Sequence, residues 1–191
     1  RYLVDAAGAP VYMAGASAAV NMQPSADGVT LDYGAYLDLA AANHLNAVRL
    51  WAWHTAPWMS AAASGGVDMP YVRSGAAPAA GGMPQYDLTQ FDQAYFDRLH
   101  QAVVEADNRG LYVVVELFSS RALDAASWQQ QPFAANNNSN GFNGDANGDG
   151  AGLEMAGLTN ANVTGLQDAY VQKVVATLGD LDNVLYQVSD E

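Results

Sequence analysis

Three places in this 191-residue sequence carry side chains whose types and spacing suit chemistry. The first is Asp190–Glu191, two adjacent carboxylates that end the run NVLYQVSDE at 183–191. A carboxylic acid can protonate a leaving oxygen, and a carboxylate can attack carbon or activate water. An acidic pair at the C-terminal end of a buried parallel strand therefore suits acid/base work, while a solvated acidic tail is the plainer reading. The second place is NAVRLWAW at 46–53, where Arg49, Trp51 and Trp53 share one face of a strand and His54 follows. A buried guanidinium needs an anionic partner. That partner is either Glu116 or another core carboxylate in a structural pair, or a catalytic carboxylate held ionised beside a sugar. Trp51 and Trp53 read as core filling or as a platform for the apolar face of a sugar ring. His54 reads as a ligand, a proton donor or a surface residue. The third place is Asp145-Ala146-Asn147-Gly148-Asp149-Gly150, the D-x-N-x-D-G opening of a calcium loop, with oxygen ligands on alternate residues and glycine at the sixth. The acidic residue expected at the twelfth position is replaced by Ala156, and Glu154 stands two residues early. A flexible Asn/Gly/Asp loop is the competing reading.

Composition removes several classes of function. Net charge is −13, from 20 acidic and 7 basic residues. Clustered cations for phosphate are lacking, so neither nucleic acid nor an anionic membrane surface is an expected partner. A neutral carbohydrate fits this balance. No cysteine is present, which removes disulfides, thiolate metal sites and thiol redox chemistry. Walker loops, G-x-G-x-x-G and H-E-x-x-H are absent as well. The apolar runs fall short of the roughly 20 residues of a membrane span. Because the chain opens on Arg1 without a signal-peptide pattern, it is expected to be a piece of something longer.

The elements that must position these residues can be read in order. Residues 1–15 read as a hairpin turning at Ala7–Gly8 and then a strand from Val11 to Ala14. Thr30 is placed to cap a helix from Leu31 to about Asn43. After the strand at 46–53 comes a long loop, 54–86. Asp87 and Gln90 resemble a capping box, opening a helix whose stripe is Phe91, Tyr95, Leu99, Val103 and Ala106 and whose end is Gly110. LYVVVELF at 111–118 is apolar on both faces, as in a parallel sheet covered by helices, with Glu116 the exception. A second long loop spans 119–161. A third helix, with Leu166, Tyr170, Val174 and Leu178 as its stripe, leads to the last strand at 183–189. Strands alternating with helices argue for an α/β fold with a parallel sheet and right-handed crossovers. Both long loops then lie at the C-terminal ends of strands, where such folds keep their sites. Four strands and three helices make half of a (β/α)8 TIM barrel, for which about 250 residues is typical. An open four-stranded sheet is the alternative.

RYLVDAAGAPVYMAG, NAVRLWAW, FDQAYFDRLHQAVVEADNRGLYVVVELF and DNVLYQVSDE together resemble the cellulase-like clan of barrel glycoside hydrolases. In that clan catalytic glutamates end the fourth and seventh strands. The resemblance covers most of the chain. It implies a single partial catalytic domain over 1–191, truncated after its fourth strand, with the remaining C-terminal half of the barrel as its partner. It implies Glu191 as general acid/base, Arg49 as the second-strand arginine that contacts the nucleophile, and Asp190 at the position where the family has asparagine. An ionised aspartate only accepts hydrogen bonds, so this departure bears on the sugar bound and on Glu191 itself. Trp51, Trp53 and His54 become sugar contacts, with no cofactor required; Asp145, Asn147 and Asp149 as a structural calcium site rest on their spacing alone. The implied activity is hydrolysis of a β-linked poly- or oligosaccharide with retention, outside the cell or in the periplasm. The nucleophile would lie beyond residue 191, so these residues alone are expected to be inactive. A non-catalytic carbohydrate-binding or scaffold barrel is the first rival. A metal-dependent barrel enzyme is the second, and it has only His44, His54 and His100 to draw on.

Overall fold

Val113 and Val115 are fully buried in the centre of a parallel sheet, and the helix before them explains why. A computed structural model describes residues 3–5, 7–16, 32–53 and 69–190. Its sheet holds β1 (Gly15–Ala16), β2 (Ala47–Trp51), β5 (Tyr112–Ser119) and β6 (Val184–Asp190), in the order β1-β2-β5-β6. All three pairings are parallel, with Arg49 opposite Val114, Trp51 opposite Glu116, and Glu116 opposite Gln187. Helix α1 (Tyr33–Ala42) precedes β2, α2 (Gln93–Asp107) precedes β5, and α4 (Ala161–Thr177) precedes β6. Sheet neighbours are thus successive along the chain. The strand order never reverses, as it would at the switch point of a doubly wound sheet.

The helical periodicity is confirmed where burial demands it. Helix α2 buries Tyr95, Phe96, Leu99, Val103 and Ala106, residues spaced three and four apart on the face toward the sheet. Its N-cap is Asp92, whose carboxylate accepts from the Ala94 amide, and not Asp87. The expected capping box at Asp87 fails because a strand occupies that stretch. There the Asp87 carboxylate accepts from the side chain and amide of Thr89 and from Asn140 and Gln90, which hold its pKa at about 2. Helix α1 is capped by Asp32, which accepts from the Ala35 amide; Thr30 lies outside the described residues. Helix α4 is capped by Asn160 and buries Val163, Tyr170 and Val174. The N-terminal hairpin forms, with Val4 bridged to Pro10 and the Asp5 carboxylate accepting from Ala7 and Ala9. The strand after it pairs at 15–16, not 11–14, and the Asn46 amide holds the approach by bonding Tyr12 and Ala14.

The described part of the first long loop is a hairpin, whereas the second is largely the irregular segment that its composition suggests. Within 54–86, residues 54–68 lie outside the described residues. The rest builds an antiparallel hairpin of β3 (Tyr71–Pro78) and β4 (Pro84–Phe91) around Gly81 and Gly82, both at positive φ. The segment 119–161 holds two 3-10 turns, Ser120–Leu123 and Leu153–Ala156, and the short helix α3 (Ala125–Trp128). It docks on the hairpin by a parallel bridge from Tyr86 to Asn138. Its asparagines are structural. The buried Asn137 amide donates to the Gln129 and Gln131 carbonyls, and Asn138 donates to those of Pro132, Ala134 and Phe142. Asn137 opens one of two Asn-x-Ser/Thr sequences, and this burial closes it to modification in the folded chain. No helix among the described residues is long and apolar enough to cross a membrane.

Candidate active site

β2 places Arg49 one pleat below Trp51, and the neighbouring β5 places Glu116 opposite Trp51. Arg49 and Glu116 are therefore diagonal neighbours across two parallel strands. Arg49 Nε lies 3.1 Å from Glu116 Oε2. Glu116 is 1% exposed, whereas the arginine side chain keeps 25% of its surface. The guanidinium also lies 5.6 Å from the centroid of the partly buried Trp51 ring, close enough for a cation–π contact. The buried carboxylate is thus paired with a guanidinium that reaches toward solvent.

Trp53 does not continue the face of Arg49 and Trp51. The strand ends at Trp51, and Trp53 turns into the core at 4% exposure. It packs edge-on to Tyr170 with centroids 4.9 Å apart and lies 5.3 Å from Phe133 and 5.6 Å from Phe118. Tyr95 on α2 donates its hydroxyl to the Ala52 carbonyl and fixes this turn. Burial of Tyr95 pushes its hydroxyl well above the usual tyrosine range. The Trp53 indole donates to Gln131 Oε1 at 2.9 Å.

At the far edge, β6 runs to Asp190, whose backbone pairs with Ser119. β2 and β5 therefore bring together Arg49, Trp51 and Glu116, and the backbone of Asp190 ends β6 level with Ser119, three residues beyond Glu116 on β5. Glu191 and His54 lie outside the described residues. His100 is elsewhere, on α2, where it bonds Asp180 at 3.1 Å and holds that carboxyl below its usual range. The calcium-like loop has one further arrangement: carboxylate oxygens of Asp145, Asp149 and Glu154 all lie within 4.8 Å of one another. Asp145 also accepts from the amides of Gly148, Asp149 and Gly150, and Asn147 donates to Asp149. Glu154, two positions short of the twelfth residue, reaches the cluster because the chain tightens into a 3-10 turn there.

The profile of the family described as "Domain of unknown function (DUF6298)" matches residues 32–191. The chain belongs to that family. No match is found among curated protein sequences. Among solved structures, the DUF6298 chain is similar to a putative glycoside hydrolase from Bacteroides vulgatus ATCC 8482, with a TM-score of 0.56 at 16% identity. The match covers 99% of this chain and 32% of that one. A glycoside hydrolase family 5 structure from the same bacterium gives a TM-score of 0.50 at 14% identity over 99% of this chain and 30% of its own. A third, described as a glycoside hydrolase, gives 0.52 at 14% identity, covering 99% of this chain and 32% of that one. The DUF6298 chain spans about a third of the length of these structures. At such identities the likeness is one of fold: a mixed α/β arrangement around a parallel sheet.

Proposed function

We propose that this chain is the N-terminal half of a (β/α)8 glycoside hydrolase that cleaves a β-linked poly- or oligosaccharide with retention. The observation that carries the reading is the parallel sheet in chain order, with Arg49, Trp51 and Glu116 paired across β2 and β5 and β6 carrying the chain to Asp190 at its C-terminal end. Barrel enzymes build their sites at that end. Glu191 is the acid/base, one residue beyond Asp190. Retaining hydrolysis needs a second carboxylate about 5–5.5 Å from the first, and on this reading it belongs to a later strand of the parent protein. Arg49 orients carboxylates at the floor of the site, Trp51 offers a ring to the sugar, and His54 and Asp190 contact it. Trp53 acts from behind, as a wall and not as a platform. The reaction takes place outside the cell or in the periplasm.

The deciding experiment incubates a parent protein that continues past Glu191 with a panel of β-linked polysaccharides and follows reducing ends and product anomer. Sugar released with retention supports the reading, and the isolated 191 residues should release none. Binding without release points to the carbohydrate-binding reading, which the aspartate in place of asparagine at 190 favours.

Asp145, Asn147 and Asp149 are proposed to hold a structural calcium, with Glu154 taking the place of the missing twelfth ligand. Hard oxygen donors from three carboxylates and one amide suit that ion. Calorimetric titration of calcium into metal-free protein should give saturable heat that Asp145→Ala removes. Absence of heat in the unaltered chain ends the assignment.

A further inference from the structure

The sequence holds three Asn-Gly pairs, Asn140-Gly141, Asn143-Gly144 and Asn147-Gly148, all inside the 119–161 segment. Asparagine before glycine can modify itself. The glycine backbone nitrogen gives up its proton to solvent hydroxide and attacks the asparagine Cγ, an intramolecular closure that glycine does not hinder because it has no Cβ. The N–Cγ bond forms, the Cγ–Nδ2 bond breaks, and the amide nitrogen leaves as ammonia with a proton from water. Water then opens the succinimide at either carbonyl, giving aspartate or isoaspartate. One water enters and one ammonia leaves, with nothing oxidised or reduced.

The fold treats the three pairs differently. Each asparagine side chain makes two hydrogen bonds, so anchoring of the amide does not separate them. Asn140 accepts from the Leu88 amide at 2.7 Å and donates to the Asp87 carboxylate at 3.2 Å. Asn143 accepts from the Asp145 amide and donates to its carbonyl. Asn147 accepts from the Asp149 amide and donates to its carboxylate. The glycine nitrogens decide. Gly144 donates to the Phe133 carbonyl at 2.9 Å, in a buried place where a Cβ would meet Trp128 and Met155 at 2.8 Å. Gly148 donates to the Asp145 carboxylate at 2.7 Å. The Gly141 N–H has no partner among the described residues; the residue is exposed, at positive φ, with open space around it. An engaged N–H must break its bond before the nitrogen can turn onto Cγ. That slows closure about fivefold for a neutral carbonyl and about tenfold or more for a carboxylate. The Leu88 amide also points at the Asn140 oxygen, the atom on which negative charge gathers during the attack.

We infer that Asn140 is a self-modifying site, and that its conversion unlatches the asparagine-rich segment from β4. In isoaspartate the main chain runs through the former side-chain carbonyl, so the oxygen that receives the Leu88 amide leaves its place. In aspartate a second carboxylate stands against that of Asp87, and like charges so close repel. Both products lose the Nδ2 donor. The ammonia is not regained, so conversion records the age of the folded molecule. The inference does not depend on the proposed hydrolase activity.

The test incubates the folded protein in mildly alkaline buffer and follows the three pairs by peptide mass spectrometry, with each rate divided by that of the same pair in urea. On this scale Asn140 should convert at least about fivefold faster than Asn143 or Asn147. A pair at 143 or 147 that matches or outpaces Asn140 overturns the assignment. So does an Asn140 that stays intact in the folded protein while it converts in urea. The isoaspartyl form, separated by its added charge, tests the unlatching. Its Leu88 amide should exchange hydrogen for deuterium at least about fivefold faster than in unaltered protein. Equal exchange in the two forms overturns that step.

Discussion

Replacing Glu191 by glutamine in a parent protein that continues past this residue should lower turnover of its natural glycan by about a thousandfold. General acid/base catalysis contributes about a hundred- to ten-thousandfold, and glutamine keeps the shape of the side chain but holds no transferable proton. The loss should fall on kcat and depend on the leaving group. A sugar alkoxide leaves only if protonated, whereas a dinitrophenolate leaves unaided. The same variant should therefore lose far less with a dinitrophenyl glycoside in the step that forms the covalent intermediate. Measuring kcat/KM for both substrates separates an acid/base from a residue that merely shapes the site. Equal losses would assign Glu191 to positioning, and unchanged turnover would remove it from the site. β6 brings the chain to this position, since its last backbone pairing is Asp190 with Ser119.

Arg49→Met should destabilise the fold by about 3 kcal/mol. Breaking a buried ion pair from one side costs about 3–5 kcal/mol, because the remaining charge is stranded. The lower figure applies because the arginine side chain is a quarter exposed and so partly solvated already. Glu116 has almost no contact with water at 1% exposure, so its carboxylate suffers most. The double variant Arg49→Met/Glu116→Gln leaves no charge behind and should recover a large part of the loss. Urea unfolding of the two single variants and the double variant measures the coupling. A single-variant effect below about 1 kcal/mol would mean that the carboxylate is held by its other contacts. The pair also explains how a charged residue can sit in the most apolar strand of the sequence.

Much of the scaffold was legible in the sequence because burial writes its period into the residues. Leu99, Val103 and Ala106 announced α2, and the unbroken apolar run at 111–118 announced a strand covered on both faces. The pairing of Arg49 with Glu116 was also open to reading, since a buried guanidinium and a lone carboxylate on apolar strands have few other choices. What sequence could not show was placed by distant contacts. The β3–β4 hairpin hid in a stretch of alanine, glycine and proline, because its register depends on residues across the turn and on the 119–161 segment. Asp87 looked like a helix cap because aspartate with glutamine three residues on suits both a cap and a bulge within a strand. Trp53 read as a companion of Trp51 by alternation, but alternation ends with the strand. Its true partner, Gln131, is 78 residues away and lies in a glutamine run with no local signal.

The bridge between Tyr86 and Asn138 has a consequence for how this part of the molecule comes and goes. Tyr86 donates its amide to Asn137 and receives one from Ser139, Leu88 donates to Asn140, and Gln85 donates to Asn136. Each of these bonds joins segments about fifty residues apart. The backbone groups of Asn136, Asn137 and Ser139 that face the hairpin find these partners only when it is in place, and β4 lacks a neighbour on that side until the segment arrives. The two are therefore expected to order together as one cooperative unit. Because that segment also carries Gln131 and Phe133, the packing around Trp53 is complete only when the unit is ordered.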